Sequence, residues 1–407
     1  MLHRGTSSRF SAWLVVAFCF LALALVFSAR AALGLVMPVW VRELGWTKSF
    51  ISGAGAAALI VMACVAPVAG RLVDRNGPRS VLAIGLVAVG LGAVIVGFSS
   101  SQPSFVVGFS LVSAIGFGAV GAHVVSTGVA RLFDESRGLA IGIATSGATA
   151  GQFLIVPLIA YLLAAASWRW SFLALALGCL LLVPLLWRLL DRPAKAGESA
   201  NAQARPTDIR TEVEDLVRQP VFHGLFWSFL LCGYTTTGII ETHLIPYSVF
   251  CGFPPLPSAT AYGVLSAVNF GGMIGSGWLA DRVHRPTLLG AIYFLRGLTF
   301  MILMNVGASY ETLLAFAVAF GVVDYSTVPI TASLVASHLG LERMGLAMGL
   351  ISAGHAVGGS LGALLGGYLF DAMASYGLVW WSGVWLAVVA GVLVLPLGER
   401  AREPKTA

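Results

Sequence analysis

The chain has 407 residues, of which 58% are hydrophobic and only 10% charged, whereas soluble globular proteins carry about 25% charged residues. Its 24 basic and 18 acidic residues are too few to cover the polar surface of a soluble protein of this length. These figures exclude a cytosolic enzyme, a disordered scaffold and a secreted disulfide-rich module. The net charge of +6 does not indicate nucleic acid, because the charges form short clusters between apolar runs rather than a basic face.

The apolar residues form long, evenly spaced runs. A bilayer core about 30 Å thick needs about 20 such residues for each spanning helix, and transmembrane strands would instead show ten-residue alternation, which is absent. The sequence therefore predicts twelve membrane-spanning helices. Their approximate limits are 12–38, 49–71, 79–99, 104–130, 138–163, 169–190, 220–248, 259–280, 286–306, 310–336, 344–371 and 378–398.

The distribution of lysine and arginine predicts how the chain is oriented. With a cytoplasmic N-terminus, only Arg42, Lys48 and Arg169 fall on the outer side, while most other basic residues flank the inner ends of the spans. We therefore predict a multi-pass protein of the cell inner membrane with both termini in the cytoplasm. The lipid bilayer is its expected surrounding, and a monomer its expected state.

One long polar segment, residues 191–219, separates six spans from six spans. It predicts an N-terminal bundle over 1–190, a cytoplasmic linker over 191–219 and a C-terminal bundle over 220–407. Residues 207–218 have the charge spacing of a helix and predict a short helix on the membrane surface. A plain charged linker is the simple interpretation, and a docking site for a regulatory partner is the alternative.

A short motif occurs at the same place in both halves. Residues 70–79 (GRLVDRNGPR) follow the second span, and residues 277–282 (GWLADR) follow the eighth, 207 positions later. This pattern resembles the cytoplasmic loop motif of the major facilitator superfamily, and the twelve spans and central linker extend the resemblance to the whole chain. The resemblance implies an all-α fold of two pseudo-symmetric six-helix bundles and a conformational gate at these loops. The gate residues are Gly70, Asp74, Arg75, Gly77, Arg79, Asp281 and Arg282.

The gate motif also has a physical interpretation. Asp74 lies beside Arg75 and Arg79, so the three side chains predict a charge cluster that holds neighbouring helices together in one state and releases them in another. The alternative explanation for Arg75 is that it is a topology determinant on the cytoplasmic side. Asp74 is not, because acidic residues contribute little to that rule.

A narrower resemblance covers the fifth span. Residues 137–147 (RGLAIGIATSG), followed by Pro157, resemble a segment of the monocarboxylate-porter branch, which also contains oxalate:formate exchangers. Animal members of that branch carry an Asp and, four residues later, an Arg in the eighth span. The aligned positions here are Asn269 and Met273. The substrate charge must therefore be met by other residues.

Ionisable residues inside the spans are functional candidates, because a charge at the centre of a spanning helix costs about 2.5–3.5 kcal/mol on insertion scales. The resemblance implies that the first, fourth, seventh and tenth spans line a central cavity. The candidates are Arg30, His123, Glu241, His243, Arg296, Asp324 and His355.

Arg30 is the predicted partner of an anionic substrate, since a guanidinium presents a planar fork that matches a carboxylate. The alternative is a structural ion pair with Glu241, because the 207-residue repeat places Arg30 opposite Thr237, one helical turn from Glu241. Glu241 and Asp324 are the predicted proton carriers. Asp324 is alternatively the permanent counter-ion of Arg296, for which a structural role is favoured.

The remaining polar candidates are amide or imidazole side chains. His123, His243 and His355 are predicted to hydrogen-bond the substrate or relay protons, and Gln152 is a further candidate for substrate binding. Packing between helices is the competing explanation for each of them. In the eleventh span, glycines recur every four residues on one face and predict close helix contact: Gly354, Gly358, Gly362 and Gly366.

We interpret the chain as a secondary transporter of a small organic anion, with a monocarboxylate as the expected substrate, coupled to protons or to a counter-anion. The alternatives are a proton-coupled exporter of hydrophobic or cationic compounds and a non-transporting membrane sensor that signals through the linker. The sequence has no phosphate-binding lysine loop and no nucleophile elbow. We expect no enzymatic activity, cofactor, metal site or nucleic-acid partner.

Overall fold

A computed structural model describes residues 3–189 and 208–399. Within these ranges the chain forms twelve long helical segments, α1 to α12, and a short linker helix, Ile209–Val217, where residues 207–218 predict one. The N-terminal segments are α1 His3–Leu44, α2 Lys48–Asn76, α3 Pro78–Phe98, α4 Gln102–Ala130, α5 Arg137–Ala165 and α6 Trp168–Leu189. The C-terminal segments are α7 (Pro220–Gly233, Tyr234–Ile240 and Glu241–Phe250), α8 Pro255–Ala280, α9 Arg285–Met304, α10 Tyr310–His338, α11 Met344–Met373 and α12 Gly377–Val394.

Ten of the twelve segments are long and apolar enough to cross a membrane by length and composition. The other two, α7 and α8, carry internal polar residues that include Thr236, Glu241 and Asn269. Large apolar side chains such as Ile60 and Leu364 are exposed on the outside of the molecule, as expected for a surface that faces lipid. The predicted all-α membrane fold is confirmed.

The two halves repeat the same packing. In the first half α1 packs on α5 and α3 on α6, and in the second half α7 packs on α11 and α9 on α12. The halves meet where α2 packs on α11 and α5 on α8, which are again equivalent pairs. The two bundles are therefore pseudo-symmetric, and the ends of α2, α5, α8 and α11 that carry the loop motifs form what we call the gate end.

The glycine face of α11 lies against α7, as the four-residue spacing predicts. A Cβ atom at Gly362 would lie 2.6 Å from the Tyr234 carbonyl oxygen, and one at Gly354 would lie 2.8 Å from the Phe226 ring. The same helix face brings Gly358 against the Leu230 carbonyl. Glycine is needed here because the two backbones approach too closely for any side chain.

Two of the central helices are interrupted near their middle. In α4 the helix stops at Val120, whose ψ of 57° is not helical, and resumes at Ala122. In α10 the helix stops at Val323 and resumes at Thr327. Interrupted helices leave backbone groups without helical partners, and in a membrane these groups must be satisfied by neighbouring protein or by a cavity.

Candidate functional site: the central cavity and the gate

A cavity of about 110 Å³ lies between the two halves. A single water needs about 10–15 Å³ on this scale, so the space fits a small solute of several non-hydrogen atoms. Its wall is mainly apolar and includes Phe27, Leu59, Met62, Phe117 and Met348. The polar lining residues are Arg30, His123, Thr237, Tyr325, Ser352 and His355, which come from α1, α4, α7, α10 and α11.

Arg30 brings a positive charge to this cavity. Its guanidinium carbon lies 4.6 Å from the centroid of the Phe27 ring, one turn earlier on α1. Among the described residues, no side chain or carbonyl forms a hydrogen bond or ion pair with it, and no acidic residue of this part of the chain lines the cavity. A cation that lines a mainly apolar cavity without a contacting counter-ion attracts an anion, because the effective dielectric constant there is lower than in bulk water.

Glu241 does not contact Arg30 directly. Its Oε1 atom accepts a hydrogen bond from the Tyr325 hydroxyl, with an O–O distance of 2.7 Å. Both charged residues lie within electrostatic range of the Tyr262 and Tyr325 hydroxyls. Tyr325 also lines the cavity, so it connects the cavity to a carboxylate that is set back from it.

Asp324 lies at the interruption of α10 and is buried, with 3% of its surface exposed. Its Oδ1 accepts a hydrogen bond from Thr236 (2.7 Å) and its Oδ2 accepts one from Asn269 (3.1 Å). The Asn269 Oδ1 atom in turn accepts a hydrogen bond from the Tyr325 amide at 3.1 Å. Asn269, which departs from the family pattern, therefore stabilises the interrupted segment of α10.

Arg296 is fully buried on α9 and does not line the cavity. The predicted direct pair with the Asp324 carboxylate does not form. The guanidinium instead donates to the Val323 carbonyl (2.8 Å) and to the Asp324 carbonyl, at the end of the first half of α10. It also donates to Thr236 Oγ1 at 3.1 Å, and Thr236 donates to Asp324.

The position of Arg296 has a clear electrostatic basis. The C-terminal end of a helix carries a partial negative charge, which a cation stabilises. The first half of α10 ends inside the protein at Val323, so its free carbonyls need such a partner. Cys232 completes the surroundings, since its sulfur lies 2.9 Å from the Arg296 Nη1 atom. A structural role for Arg296 was predicted from the sequence, but these partners were not.

Two of the predicted histidines line the cavity and one does not. His123 and His355 are lining residues, and the His355 ring lies 4.9 Å from the Phe229 ring. His243 lies between α7 and α11, where its Nε2 atom is 3.2 Å from the Ala363 carbonyl. Gln152 is also outside the lining, and its Oε1 atom accepts a hydrogen bond from Ser266 of α8 at 3.3 Å.

The gate aspartate of the first half binds the second half. Asp74 Oδ1 accepts a hydrogen bond from the Gly345 amide and Oδ2 accepts one from the Leu346 amide, both at 2.8 Å. These amides belong to the first turn of α11, where helices have unpaired N–H groups and a positive dipole end. Arg131, the residue that follows α4, adds an ion pair to Asp74 Oδ1 at 2.7 Å. The Asp74 carboxylate therefore holds α11 against α2.

The gate aspartate of the second half makes the equivalent contacts. Asp281 accepts hydrogen bonds from the Gly138 and Leu139 amides at 2.8 Å each, at the start of α5. Gly138 and Leu139 precede Gly345 and Leu346 by the same 207 positions that separate Asp74 from Asp281. The 207-residue repeat therefore includes the amide partners of both aspartates as well as the loop motifs.

The other gate residues do not cluster around Asp74. Arg75 pairs with Glu212 of the linker helix at 3.2 Å. Arg79 donates to the Trp187 carbonyl at 2.8 Å and stacks on that indole. The predicted cluster of Asp74 with Arg75 and Arg79 is wrong, because Arg131 occupies the position beside the carboxylate.

Backbone geometry explains two further gate positions. Gly77 ends α2 with a φ of 78°, a conformation that residues with a side chain rarely adopt. Gly70 packs against the Gly345 backbone so closely that a Cβ atom would collide with the Gly345 carbonyl oxygen. Arg282, the remaining gate residue, stacks on Trp278, with its guanidinium carbon 4.0 Å from the ring centroid.

The linker helix lies across the gate end and contacts both halves. Glu212 pairs with Arg71 of α2 at 2.9 Å, and Asp215 pairs with Arg343, just before α11, at 3.4 Å. Leu216 on the same helix is fully buried. The linker therefore has packed and charged contacts at the junction of α2 and α11.

Two helical bundles around a central cavity, joined at one end by equivalent aspartate contacts, define a membrane transporter fold. The Major Facilitator Superfamily model matches residues 19–306 and 276–407. The chain belongs to this superfamily.

Similar proteins include named transporters. Rat monocarboxylate transporter 13 is 28% identical over 393 residues, which cover 94% of this chain and 88% of that protein. The uncharacterized MFS-type transporter YcxA of Bacillus subtilis is 24% identical over 382 residues, or 92% of each chain.

Solved structures share the fold. The E. coli fucose:proton symporter FucP superposes with a TM-score of 0.75 at 17% identity, covering 94% of this chain and 98% of that one. The human organic anion transporter MFSD10 superposes with a TM-score of 0.71 at 18% identity, covering 93% and 98% respectively. At these identities the likeness supports the fold alone.

Proposed function

We propose that this transporter moves a small organic anion, with a monocarboxylate as the simplest case, through alternating exposure of the central cavity. The observation that carries the proposal is the position of Arg30 in a mainly apolar cavity without a hydrogen bond or ion pair from the described residues. A substrate carboxylate would supply the missing partner of Arg30, because its two oxygens match the guanidinium fork. The relatives named monocarboxylate transporters support the same substrate class.

Coupling is assigned to Glu241 and Tyr325. The Tyr325 hydroxyl donates a hydrogen bond to the Glu241 carboxylate at 2.7 Å, and Tyr325 lines the cavity. Protonation of Glu241 would therefore change the hydrogen bonding of a residue that contacts the substrate. Asp324 is a weaker candidate, because Thr236 and Asn269 already satisfy both of its oxygens as acceptors. We therefore place the transported proton on Glu241.

Uptake of labelled monocarboxylates into reconstituted vesicles tests the anion proposal. Arg30→Ala should reduce uptake driven by an inward proton gradient about 10- to 100-fold, since a charge-assisted contact is worth about 1.5–3 kcal/mol. Arg42→Ala is the matched control, because Arg42 lies on the same helix with a side chain that is 73% exposed. Equal uptake by Arg30→Ala and the control would contradict the proposal.

Glu241→Gln separates the two modes of coupling. If Glu241 carries the proton, this variant should lose gradient-driven uptake but retain exchange of labelled for unlabelled acid. Unchanged gradient-driven uptake would remove Glu241 as the carrier and favour coupling to a counter-anion.

The cavity also bears on the two alternatives. An exporter of cations requires a negative group at its binding site, and among the described lining residues none is acidic. A sensor would bind the acid without flux in the vesicle assay. Flux that depends on Arg30 would exclude both alternatives.

A further inference from the structure

We propose that Thr237 of α7 binds the substrate carboxylate from the wall of the cavity opposite to Arg30, so that the bound substrate joins the two bundles. The inference rests on the proposed anion transport, in which Arg30 binds the carboxylate. It adds a second binding residue for the same group, and this residue belongs to the C-terminal bundle.

The first argument is the position of Thr237 relative to Arg30. The 207-residue repeat makes the two residues equivalent on α1 and α7, and both of them line the cavity. Helix α1 packs on α5 and helix α7 on α11, whereas α1 and α7 have no extensive contact with each other in the described part of the chain. The two residues therefore belong to opposing walls of the cavity, one in each bundle.

Arg30 and Thr237 also lie at similar depth in the membrane. The two halves of this fold are related by an axis along the membrane normal, so equivalent residues have equal depth. Side chains lean toward the N-terminal end of their own helix, and the Arg30 guanidinium accordingly lies over Phe27, one turn earlier. Because α1 and α7 run in the same direction, Thr237 leans the same way. The two polar groups therefore lie within about one helical turn, or about 5 Å, of the same depth.

The second argument is that the Thr237 hydroxyl is free and accessible. Threonine hydroxyls in helices commonly bond a carbonyl of the preceding turn, as those of Thr127 and Thr145 do at 2.8 and 2.7 Å. The Thr237 Oγ1 atom forms no hydrogen bond with the described residues, and it is not sealed from the cavity. The Thr237 methyl group faces α11, 3.2 Å from where a Cβ at Gly359 would lie, which leaves the hydroxyl to face the cavity.

The local backbone distinguishes Thr237 from the two threonines before it. The middle part of α7 is a π-helix, a rare wide turn that occurs frequently at functional sites. Thr235 accepts a hydrogen bond from Arg296 at 3.2 Å. Thr236 donates one to Asp324 at 2.7 Å. Of these three consecutive threonines, Thr237 is therefore the one whose hydroxyl is available to a ligand.

The other hydroxyls that line the cavity are less suitable. The Tyr325 hydroxyl donates its proton to Glu241. The Ser352 hydroxyl has no hydrogen bond with the described residues, but it lies on α11 seven positions before Gly359, or about 10 Å closer to the gate end. A carboxylate accepts hydrogen bonds at both oxygens, so a cation on one wall and the Thr237 hydroxyl on the other can bind it together.

The test uses propanoate and hexanoate, two acids that share the carboxylate but differ in the length of the tail. Binding to the purified full-length chain is measured by the ligand-dependent rise in unfolding temperature, which gives a dissociation constant without requiring transport. Thr237→Val has nearly the same shape as wild type but no hydroxyl. It should bind both acids about tenfold more weakly, because it lacks a hydrogen bond to a charged group.

Further variants assign the loss to the hydroxyl. Thr237→Ser keeps this group and should bind both acids nearly as tightly as wild type. Thr260→Val is the matched control and should keep full affinity, because Thr260 is exposed on α8 and its hydroxyl bonds the Leu256 carbonyl of its own helix. Thr237→Ala carries the same expectation as Thr237→Val and replaces it if that variant does not fold.

The possible failures are distinguishable. Wild-type affinity of Thr237→Val for both acids would overturn this inference while leaving anion transport intact. A loss confined to hexanoate would place Thr237 beside the tail of the substrate and would also overturn it. An equal loss in Thr237→Ser and Thr237→Val would attribute the effect to packing rather than to the hydroxyl. A loss in Ser352→Ala but not in Thr237→Val would assign the contact to α11 instead. Failure of wild type to bind either acid would contradict the proposed function itself.

Discussion

The gate residues follow the pseudo-symmetry of this transporter, whereas the polar residues of the cavity do not. At the gate, Asp74 and Asp281 occupy equivalent positions and bind equivalent amides in the opposite half. In the cavity, the position equivalent to Arg30 is Thr237, and the one equivalent to His123 is Ile330. The repeated residues join the halves, whereas these two cavity-lining residues have no equivalent in the other half.

This difference follows from what each region must do. Closing the gate requires only that two helix ends are held, and the same carboxylate-to-amide contact can hold both. An asymmetric solute requires different chemistry at its two ends. The comparison therefore predicts that gate substitutions change the balance of conformations and that cavity substitutions change affinity.

Asp74→Ala should have the largest effect on the gate. It removes two amide hydrogen bonds and one ion pair, and a loss of about 3 kcal/mol would open the gate about 100-fold more often. Spin labels at Asn76 and Glu342, on opposite sides of the gate, would report a longer distance. The accessible Cys64 and Cys251 would be replaced by serine for this measurement.

Asp134→Ala is the control for Asp74→Ala. Asp134 is at the same end of the molecule, but its side chain is 67% exposed and pairs with Arg137, three residues later at the start of α5. An unchanged distance distribution in Asp74→Ala, or the same change in the control, would remove Asp74 from the gate.

Arg296→Leu should lower stability rather than change affinity. It leaves the Val323 and Asp324 carbonyls of α10 without their buried donor, at a cost of about 2 kcal/mol. Thermal unfolding in detergent should show a clear decrease for Arg296→Leu and none for Arg218→Gln, which changes an exposed arginine. Wild-type stability in Arg296→Leu would show that α10 does not depend on this cap.

Gly70→Ala should open the gate to a smaller extent. The added Cβ meets the Gly345 backbone, and overpacking of this kind costs about 1 kcal/mol or more, equivalent to about a fivefold shift. The same pair of spin labels measures it. Gly53→Ala on the same helix should be silent, because nothing lies within 4 Å of its added Cβ.

Glu212→Gln should have the smallest effect. Its pairs with Arg71 and Arg75 are only partly shielded from solvent, and such pairs are worth about 1 kcal/mol or less. We expect a two- to threefold increase in gate opening that disappears in high salt. A large effect that persists in high salt would mean that the linker helix contributes more than charge pairing.

Much of the fold could be predicted from sequence because it depends on local patterns. Apolar runs of sufficient length predict the helices, and the glycines of α11 predict which face contacts α7. The gate aspartates were identifiable because the same motif occurs twice, and extension of the same repeat to Gly138 and Gly345 would have identified their partners.

The cavity was less predictable because its contacts depend on rotamers and on helix interruptions. The pairing of Glu241 with Tyr325, rather than with Arg30, depends on the break in α10. Gly321 and Pro329 flank this break, but they do not indicate which side chain lies beside Glu241. The predicted partners of Asp74, Arg75 and Arg79, were wrong for a similar reason, since the actual partner, Arg131, follows a different helix, α4. Spacing along one helix does not reveal which of several arginines reaches a carboxylate.

The central claim is that Arg30 binds the anionic group of the substrate, and a matched pair of ligands tests it most directly. Hexanoate and its neutral amide, hexanamide, have nearly the same shape but differ in charge. Wild type should be stabilised against unfolding by hexanoate and not by hexanamide, and Arg30→Gln should show no difference between them. Stabilisation of Arg30→Gln by hexanoate to the same extent as wild type would contradict the claim.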